Sequence, residues 1–184
     1  LATADEVRAA ANDILARAKA LRPDAKLAGV LVQPMVLRNK VRELILGIAD
    51  DPTFGPVVVF GRGGTAVEII NDKALALPPL DLALARDLIG RTRVSRLLAA
   101  YRDVPAVKQD AVALTLVKLA QLAADLPEVA GLDINPLLAD STGVLAVDAR
   151  VAVAAAGRKF AGPGNARFAV RPYPTEWVRH LVLR

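Results

Sequence analysis

The stretch Gly131-Leu132-Asp133-Ile134-Asn135-Pro136-Leu137-Leu138-Ala139-Asp140-Ser141-Thr142-Gly143-Val144-Leu145-Ala146-Val147-Asp148-Ala149-Arg150-Val151 decides how this chain reads. Its apolar residues form two strand patterns around an Asp-Ser-Thr-Gly turn. If the turn closes on Ser141-Thr142, or as a four-residue loop from Asp140 to Gly143, Asn135 lies opposite Asp148 and Asp133 opposite Arg150. Side chains alternate along a strand, so Asp133 and Asn135 share a face, as do Asp148 and Arg150. Leu132, Ile134, Val147 and Ala149 are then expected to pack on the other face. Directly opposed side chains have Cβ atoms ~5 Å apart, close enough for two oxygens to share a hard cation. Two readings fit. Either Asp133 and Arg150 form a cross-strand ion pair with Asn135 and Asp148 solvated, or Asn135 and Asp148 hold a metal. Magnesium takes one or two protein oxygens and completes its shell with phosphate and water, so this pair suits Mg²⁺ rather than a Ca²⁺ cage.

Working outward, Thr3-Ala4-Asp5-Glu6 is a capping box, and Val7, Ala10, Ala11, Ile14, Leu15, Ala18 and Leu21 recur at helical spacing, predicting a helix over 4–20. Four β-like runs follow: Ala28–Val36, Glu43–Ala49, Pro56–Phe60 and Val67–Asn71. Their short links favour antiparallel pairing. After Pro78-Pro79 the pattern turns helical: Asp81 caps a helix through about Ile89, a short one runs from Thr92 or Ser95 to Tyr101, and the longest covers about Lys108 to Asp125. That last helix is apolar around much of its circumference and is expected to lie on the sheet. The order is α-β-β-β-β-α-α-α-β-β, an α+β fold rather than alternating βαβ units.

Composition narrows the function classes. At 184 residues with 54% hydrophobic content the chain can build one sizeable core and is not disordered. It has no run of ~18 uncharged apolar residues and no signal-peptide pattern, so no membrane segment is expected. The absence of cysteine fits the cytoplasm. A net charge of +5, with scattered Lys and Arg and seven aromatic residues, argues against nucleic acid and suits an anionic small molecule such as a nucleotide. The chain begins with Leu1 and ends in an apparent strand, Val178 to Arg184, and reads as a piece of a longer polypeptide.

The Leu132-Asp133-Ile134-Asn135-Pro136-Leu137 run with Val147-Asp148 resembles the "E/D-I-N-P-L … D" signature of ATP-grasp domains, nearest to those of the NDP-forming acyl-CoA synthetases. These include succinyl-CoA and ADP-forming acetyl-CoA synthetases. Three further segments match in order: Gly29 to Val36 resembles the adenine-hinge strand, Glu43 to Gly47 with Asp51 to Val57 the next strand and turn, and Phe60 to Glu68 the glycine-rich turn. The resemblance spans about residues 4 to 151. It implies the C-terminal part of an ATP-grasp fold, a mixed or antiparallel sheet packed with helices, as a module over 1–151 whose N-terminal part is missing. Residues 152–184 would be an extended tail toward a following domain.

The resemblance also implies roles. Asn135 and Asp148 match the ligands of the Mg²⁺ that bridges nucleotide phosphates. Asp133 matches an acidic residue facing a phosphohistidine carried on another domain, and it is one methylene shorter than the Glu of succinyl-CoA synthetases. Val32, Gln33 and Met35 match the strand that binds adenine through its backbone, and Glu43, Gly63 and Gly64 match the nucleotide side of the site. The cofactors are then Mg²⁺ and ATP/ADP, and the partners are CoA-binding and phosphohistidine domains of the same or a partner chain. The reaction would be Mg-dependent phosphoryl transfer to make acyl-CoA, an acid–thiol ligation, with the 184 residues alone expected to be inactive. The tail Ala166 to Pro174 resembles the link to a GCN5-related acetyltransferase domain in fused proteins. A non-catalytic nucleotide-sensing module of such an acetyltransferase is therefore the rival reading.

Further features bear on the site. Gly61-Arg62-Gly63-Gly64 is a tight turn or a phosphate cradle. Leu37-Arg38-Asn39-Lys40-Val41-Arg42 places positive charge near the mouth of the site. Arg91, Arg93 and Arg96 form a solvated helix face or bind phosphate. His180, the only histidine, reads as a surface or linker residue rather than a nucleophile.

Overall fold

The computed structural model describes residues 1–64 and 71–154. The run Val67–Asn71 thus lies almost wholly outside the described residues, as do His180 and the tail from residue 155. The chain divides into two units, Leu1–Leu37 and Arg38 onward.

In the first unit, α1 spans Ala4–Leu21, as its apolar spacing predicts. Thr3 Oγ1 accepts the Glu6 amide at 3.2 Å, while the Glu6 carboxylate accepts from the amide of Ala2 at 2.7 Å. The expected strand Ala28–Val36 is not one. That run carries no ladder pairing, and an apolar sequence alone does not supply the neighbour a strand needs. It lies along α1, and Val7, Ala10 and Ile14 share a cavity of about 220 Å³ with Val30, Val32 and Met35.

The second unit is an antiparallel sheet covered on one face by helices. Its strands are β1 (Arg42–Asp51), β2 (Gly55–Arg62), β3 (Lys73–Ala76), β4 (Val129–Ala139), β5 (Val144–Ala146) and β6 (Ala149–Val153). The order is β3-β2-β1-β4-β5, with β6 also paired to β4. Asp51 closes the β1–β2 turn by accepting the amides of Thr53 and Phe54. Strand β3 was hidden in the sequence by its length of four residues. α2 (Leu82–Gly90) is capped by Asp81, which accepts the Leu84 amide at 2.7 Å. A 3₁₀ turn (Val94–Leu97) takes the place of the expected short helix, and α3 spans Gln109–Asp125.

Alternation along β1 sorts the two faces. Leu44, Leu46 and Ile48 enter a core with Val58 and Phe60 of β2, Ile134 and Leu137 of β4, Leu88 of α2 and Leu116 of α3. Each such side chain contributes roughly 1.5–3 kcal/mol by leaving water. α3 lies on the sheet, with Val112, Ala113, Leu116, Leu119, Ala120 and Ala123 buried. Glu43, Ile45 and Gly47 consequently take the face away from α2 and α3.

Candidate functional site: a bulged hairpin and a glycine turn on the open face

The register expected for the hairpin is the one observed. Ala139 pairs with Val144, Leu137 with Ala146, Ile134 with Ala149 and Asp133 with Arg150. The turn is the two-residue loop on Ser141-Thr142, closed by the Asp140 amide donating to Gly143 O at 3.0 Å. The Asp140 carboxylate caps it, accepting from Thr142 N, Thr142 Oγ1 and Gly143 N. Those hydrogen bonds, the Thr142 hydroxyl first, hold the Asp140 carboxyl below its ordinary value, and the Arg38 guanidinium adds to the effect.

One feature was not foreseen. Leu44 pairs with Leu137 but Leu46 pairs with Ile134, so Asn135 and Pro136 together face the single residue Ile45. This is a β-bulge, and it falls on the Asn-Pro dipeptide, whose peptide bond is cis. A proline inside a strand paired on both sides is tolerated only where the ladder is already interrupted, which was the available sequence signal. On the other edge of β4 the ladder also breaks, between β5 and β6, at Val147 and Asp148. Asn135 N donates to Asp148 O at 3.2 Å and Val147 N to Pro136 O at 3.1 Å, so Asn135 and Asp148 do adjoin. The break frees both residues from regular pairing, where a bulge re-aims side chains.

Two expectations for the hairpin fail. Arg150 does not pair with Asp133; its Nε lies 3.7 Å from Asp148 Oδ2, two residues back on the same face. Val147 and Ala149 do not pack but are exposed, because β6 is solvated along its length. Asp133 is exposed, opposite Gly47 of β1 on one side and Arg150 of β6 on the other.

Glu43, Gly63 and Gly64 come together at the far end of β1. Gly63 N donates to Glu43 O at 2.8 Å. A Cβ on Gly63 would sit 2.8 Å from the carbonyl of Leu44, and one on Gly64 would meet Glu43 Oε2 at 2.6 Å, with φ at +89°. Close approach requires the first glycine and a left-handed backbone the second. With Arg42, Arg62, Val94 and Leu97 these residues line a cavity of about 310 Å³. Glu43 and Asp133 share the open face, separated along β1 by four residues or ~13 Å. Val32, Gln33 and Met35 belong to the first unit, where they line the cavity against α1.

Of the charges expected at the mouth, Arg42 does line the cavity of Glu43 and the glycine turn, and all three are also tied down. Arg38 pairs with Asp140 at 3.1 Å, Lys40 with Asp103 at 2.9 Å, and Arg42 Nε donates to Leu97 O at 2.7 Å. Each basic residue of this segment fixes a different loop. Sequence reasoning also missed Asp72, buried, whose two carboxylate oxygens accept the amides of Arg93 and Val94 at 2.7 Å each and so cap the 3₁₀ turn. Among the described residues no group of three or more Asp, Glu, His or Cys is placed to hold a metal, and no helix is long and apolar enough to cross a membrane.

Comparison with known proteins identifies the fold. The ATP-grasp domain family matches residues 1–153. The chain belongs to the ATP-grasp family. Its antiparallel sheet packed against helices is the ATP-grasp fold, and it is similar to the domain in ADP-forming acetyl-CoA synthetase β subunits. The β subunit of acetate–CoA ligase [ADP-forming] I of Pyrococcus furiosus is 38% identical over 147 residues, which is 80% of this chain and 62% of that protein. The chain thus spans less than two thirds of the curated relatives it matches first. The dinucleotide-forming acetyl-coenzyme A synthetase 1 of Ca. Korarchaeum cryptofilum, in complex with coenzyme A and Ca-AMPCP, superposes with a TM-score of 0.74 at 34% identity, covering 81% of this chain and 64% of that one. A second structure of that enzyme, with Mg-AMPPCP and its phosphohistidine segment pointing towards the nucleotide-binding site, matches with a TM-score of 0.59 over 61% of this chain and 53% of that one, again at 34% identity.

Proposed function

We propose that this chain is the nucleotide-binding part of an NDP-forming acyl-CoA synthetase, acting on ATP or ADP with Mg²⁺. The observation that carries the reading is the paired interruption of the hairpin, which sets Asn135 beside Asp148 with both outside a regular ladder. The donor set fits magnesium: one amide oxygen and one carboxylate, both hard, leave the remaining positions to phosphate and water. When bound there, Mg²⁺ would offset phosphate charge during phosphoryl transfer.

The chain's own residues do the rest. Asp148 is exposed and its contact with Arg150, at 3.7 Å, is too long to count as a hydrogen bond, so the carboxylate has lone pairs to offer. Asp133, exposed on the open face, is positioned to meet a phosphohistidine brought by another domain. Glu43 and the Gly63-Gly64 turn form the other end of the phosphate site, and Val32, Gln33 and Met35 take the adenine. CoA and the acyl group are handled by other domains of the same or a partner chain, in the cytoplasm. A regulatory module fused to an acetyltransferase is the rival. It rests on the tail after Ala154, and no observation among the described residues favours it.

The test is Asn135→Ala and Asp148→Ala in the full-length protein, with acyl-CoA formation from ATP, acid and CoA measured. Lewis-acid stabilisation is worth several kcal/mol, so a loss of about a hundredfold or more is expected in each, with the fold retained. Wild-type turnover in both variants sinks the assignment. Turnover absent already in the wild type, with nucleotide binding intact, favours the regulatory module.

A further inference from the structure

Three arginines converge on one hollow outside the residues assigned above. Arg62 at the end of β2, Arg93 before the 3₁₀ turn and Arg96 within it line a cavity of about 270 Å³ with Asp72, Val94 and Leu97. It adjoins the cavity of Glu43 and the glycine turn, sharing Arg62, Val94 and Leu97 with it. Gathering like charges is unfavourable unless a counter-charge offsets it. Asp72 is the only carboxylate lining this hollow among the described residues, and it is already committed. Its side chain is 6% exposed, its oxygens accept two backbone amides, and Arg93 Nε stands 3.7 Å away.

Arg62 and Arg96 have no carboxylate partner among the described residues, whereas Arg8, Arg17, Arg38, Arg86 and Arg91 each have one. Guanidinium forks match the oxygens of a phosphate two at a time. The hollow has the volume of about nine waters at their share of the liquid, enough for a phosphate and part of its hydration shell.

We propose that this hollow is a phosphate site, binding either free inorganic phosphate or the terminal phosphate of a nucleotide reaching across from the Glu43 cavity. The site depends on Arg62 and Arg96 and involves neither Asn135 nor Asp148, so it stands or falls apart from the metal hairpin.

The experiment is a phosphorus NMR titration of the 184-residue chain with inorganic phosphate in EDTA, and separately with Mg·ATP. Arg62→Gln and Arg96→Gln are compared with Arg86→Gln, a distant surface control. Both test arginines are exposed, and circular dichroism checks that the variants fold. Saturable phosphate binding weakened about tenfold in each test variant, and unchanged in the control, is expected, since a hydrogen bond to a charged group is worth roughly 1.5–3 kcal/mol. If ATP alone binds and weakens about tenfold in the same variants, the phosphate is the nucleotide's own and the site stands. Absence of saturable binding by either ligand, or binding that neither Arg62→Gln nor Arg96→Gln changes, overturns it.

Discussion

The two faces of the sheet are built from alternate residues of the same strands, yet they follow different rules. On the helix side, Leu44, Leu46 and Ile48 of β1 meet Val58 and Phe60, Ile134 and Leu137, and the apolar stripes of α2 and α3. On the side away from α2 and α3 the same strand shows the exposed Glu43 and the buried Ile45 and Gly47, and its neighbours show the buried Gly61 and the exposed Asp133 and Arg150. The first face is redundant, because many apolar contacts share one task. The second is particular: a carboxylate, a bulge or a glycine stands at one position for one reason. A chain can thus keep its fold while the open face loses its chemistry, and the reverse loss is harder to arrange.

The sharpest way to break that contrast is to cut one side chain from each face. Leu116→Ala removes a fully buried side chain of α3, and a cost of about 2–5 kcal/mol is expected. Arg150→Ala on β6, opposite Asp133 on the open face and with its side chain 81% exposed, should change stability by no more than about 0.5 kcal/mol. Urea unfolding of both variants measures the difference. Comparable losses would mean that β6 is part of the core and the two-face description is wrong.

A smaller effect tests whether the glycine turn belongs to the fold as well as to the site. Gly63→Ala places a Cβ 2.8 Å from the backbone of Leu44, a collision with atoms that cannot rotate away, and should cost about 1–3 kcal/mol. Gly90→Ala is the control, since nothing lies within 4 Å of its added Cβ, and it should be neutral or stabilising by up to about 1 kcal/mol. Equal stability of the two variants in thermal unfolding would remove the structural reason for Gly63. Phosphate contact would then be the sole reason for a glycine there.

What was legible in the sequence follows the same division. The helices read well because amphipathic spacing and capping residues are local: Thr3 and Asp81 cap where their position says they should. The hairpin register was legible because one short turn fixes every pair after it. Ala28–Val36 was misread because being a strand depends on a partner, which no local pattern encodes. Val147 and Ala149 were misplaced for a related reason: their face is apolar in sequence, but solvent rather than a helix lies over β6. The bulge at Asn135-Pro136 was signalled by the proline yet could not be placed, since it exists only relative to Ile45 of a strand some ninety residues earlier. Asp72 was invisible because its task, capping the 3₁₀ turn, joins segments about twenty residues apart.

The smallest expected effect concerns the turn that sets the hairpin register. Asp140 accepts three hydrogen bonds within the turn and pairs with Arg38, while its own carbonyl accepts the Lys108 amide at the start of α3. Its folded-state pKa is therefore depressed below the ordinary 3.8, led by the Thr142 hydroxyl. A depressed carboxyl contributes stability that is fully present above its unfolded value and is lost as pH falls through the folded one. The loss from this group should consequently begin only below about pH 4 and deepen toward lower pH. Asp140→Asn removes the titration but keeps the shape, so the variant should be less stable than wild type at neutral pH and converge on it in acid. Equilibrium unfolding between pH 2 and 7 compares them. Parallel curves for the two proteins would show that the charge of Asp140 is not what holds the turn. The register that brings Asn135 to Asp148 would then rest on Gly143, whose φ of +153° favours glycine, and on the backbone closure alone.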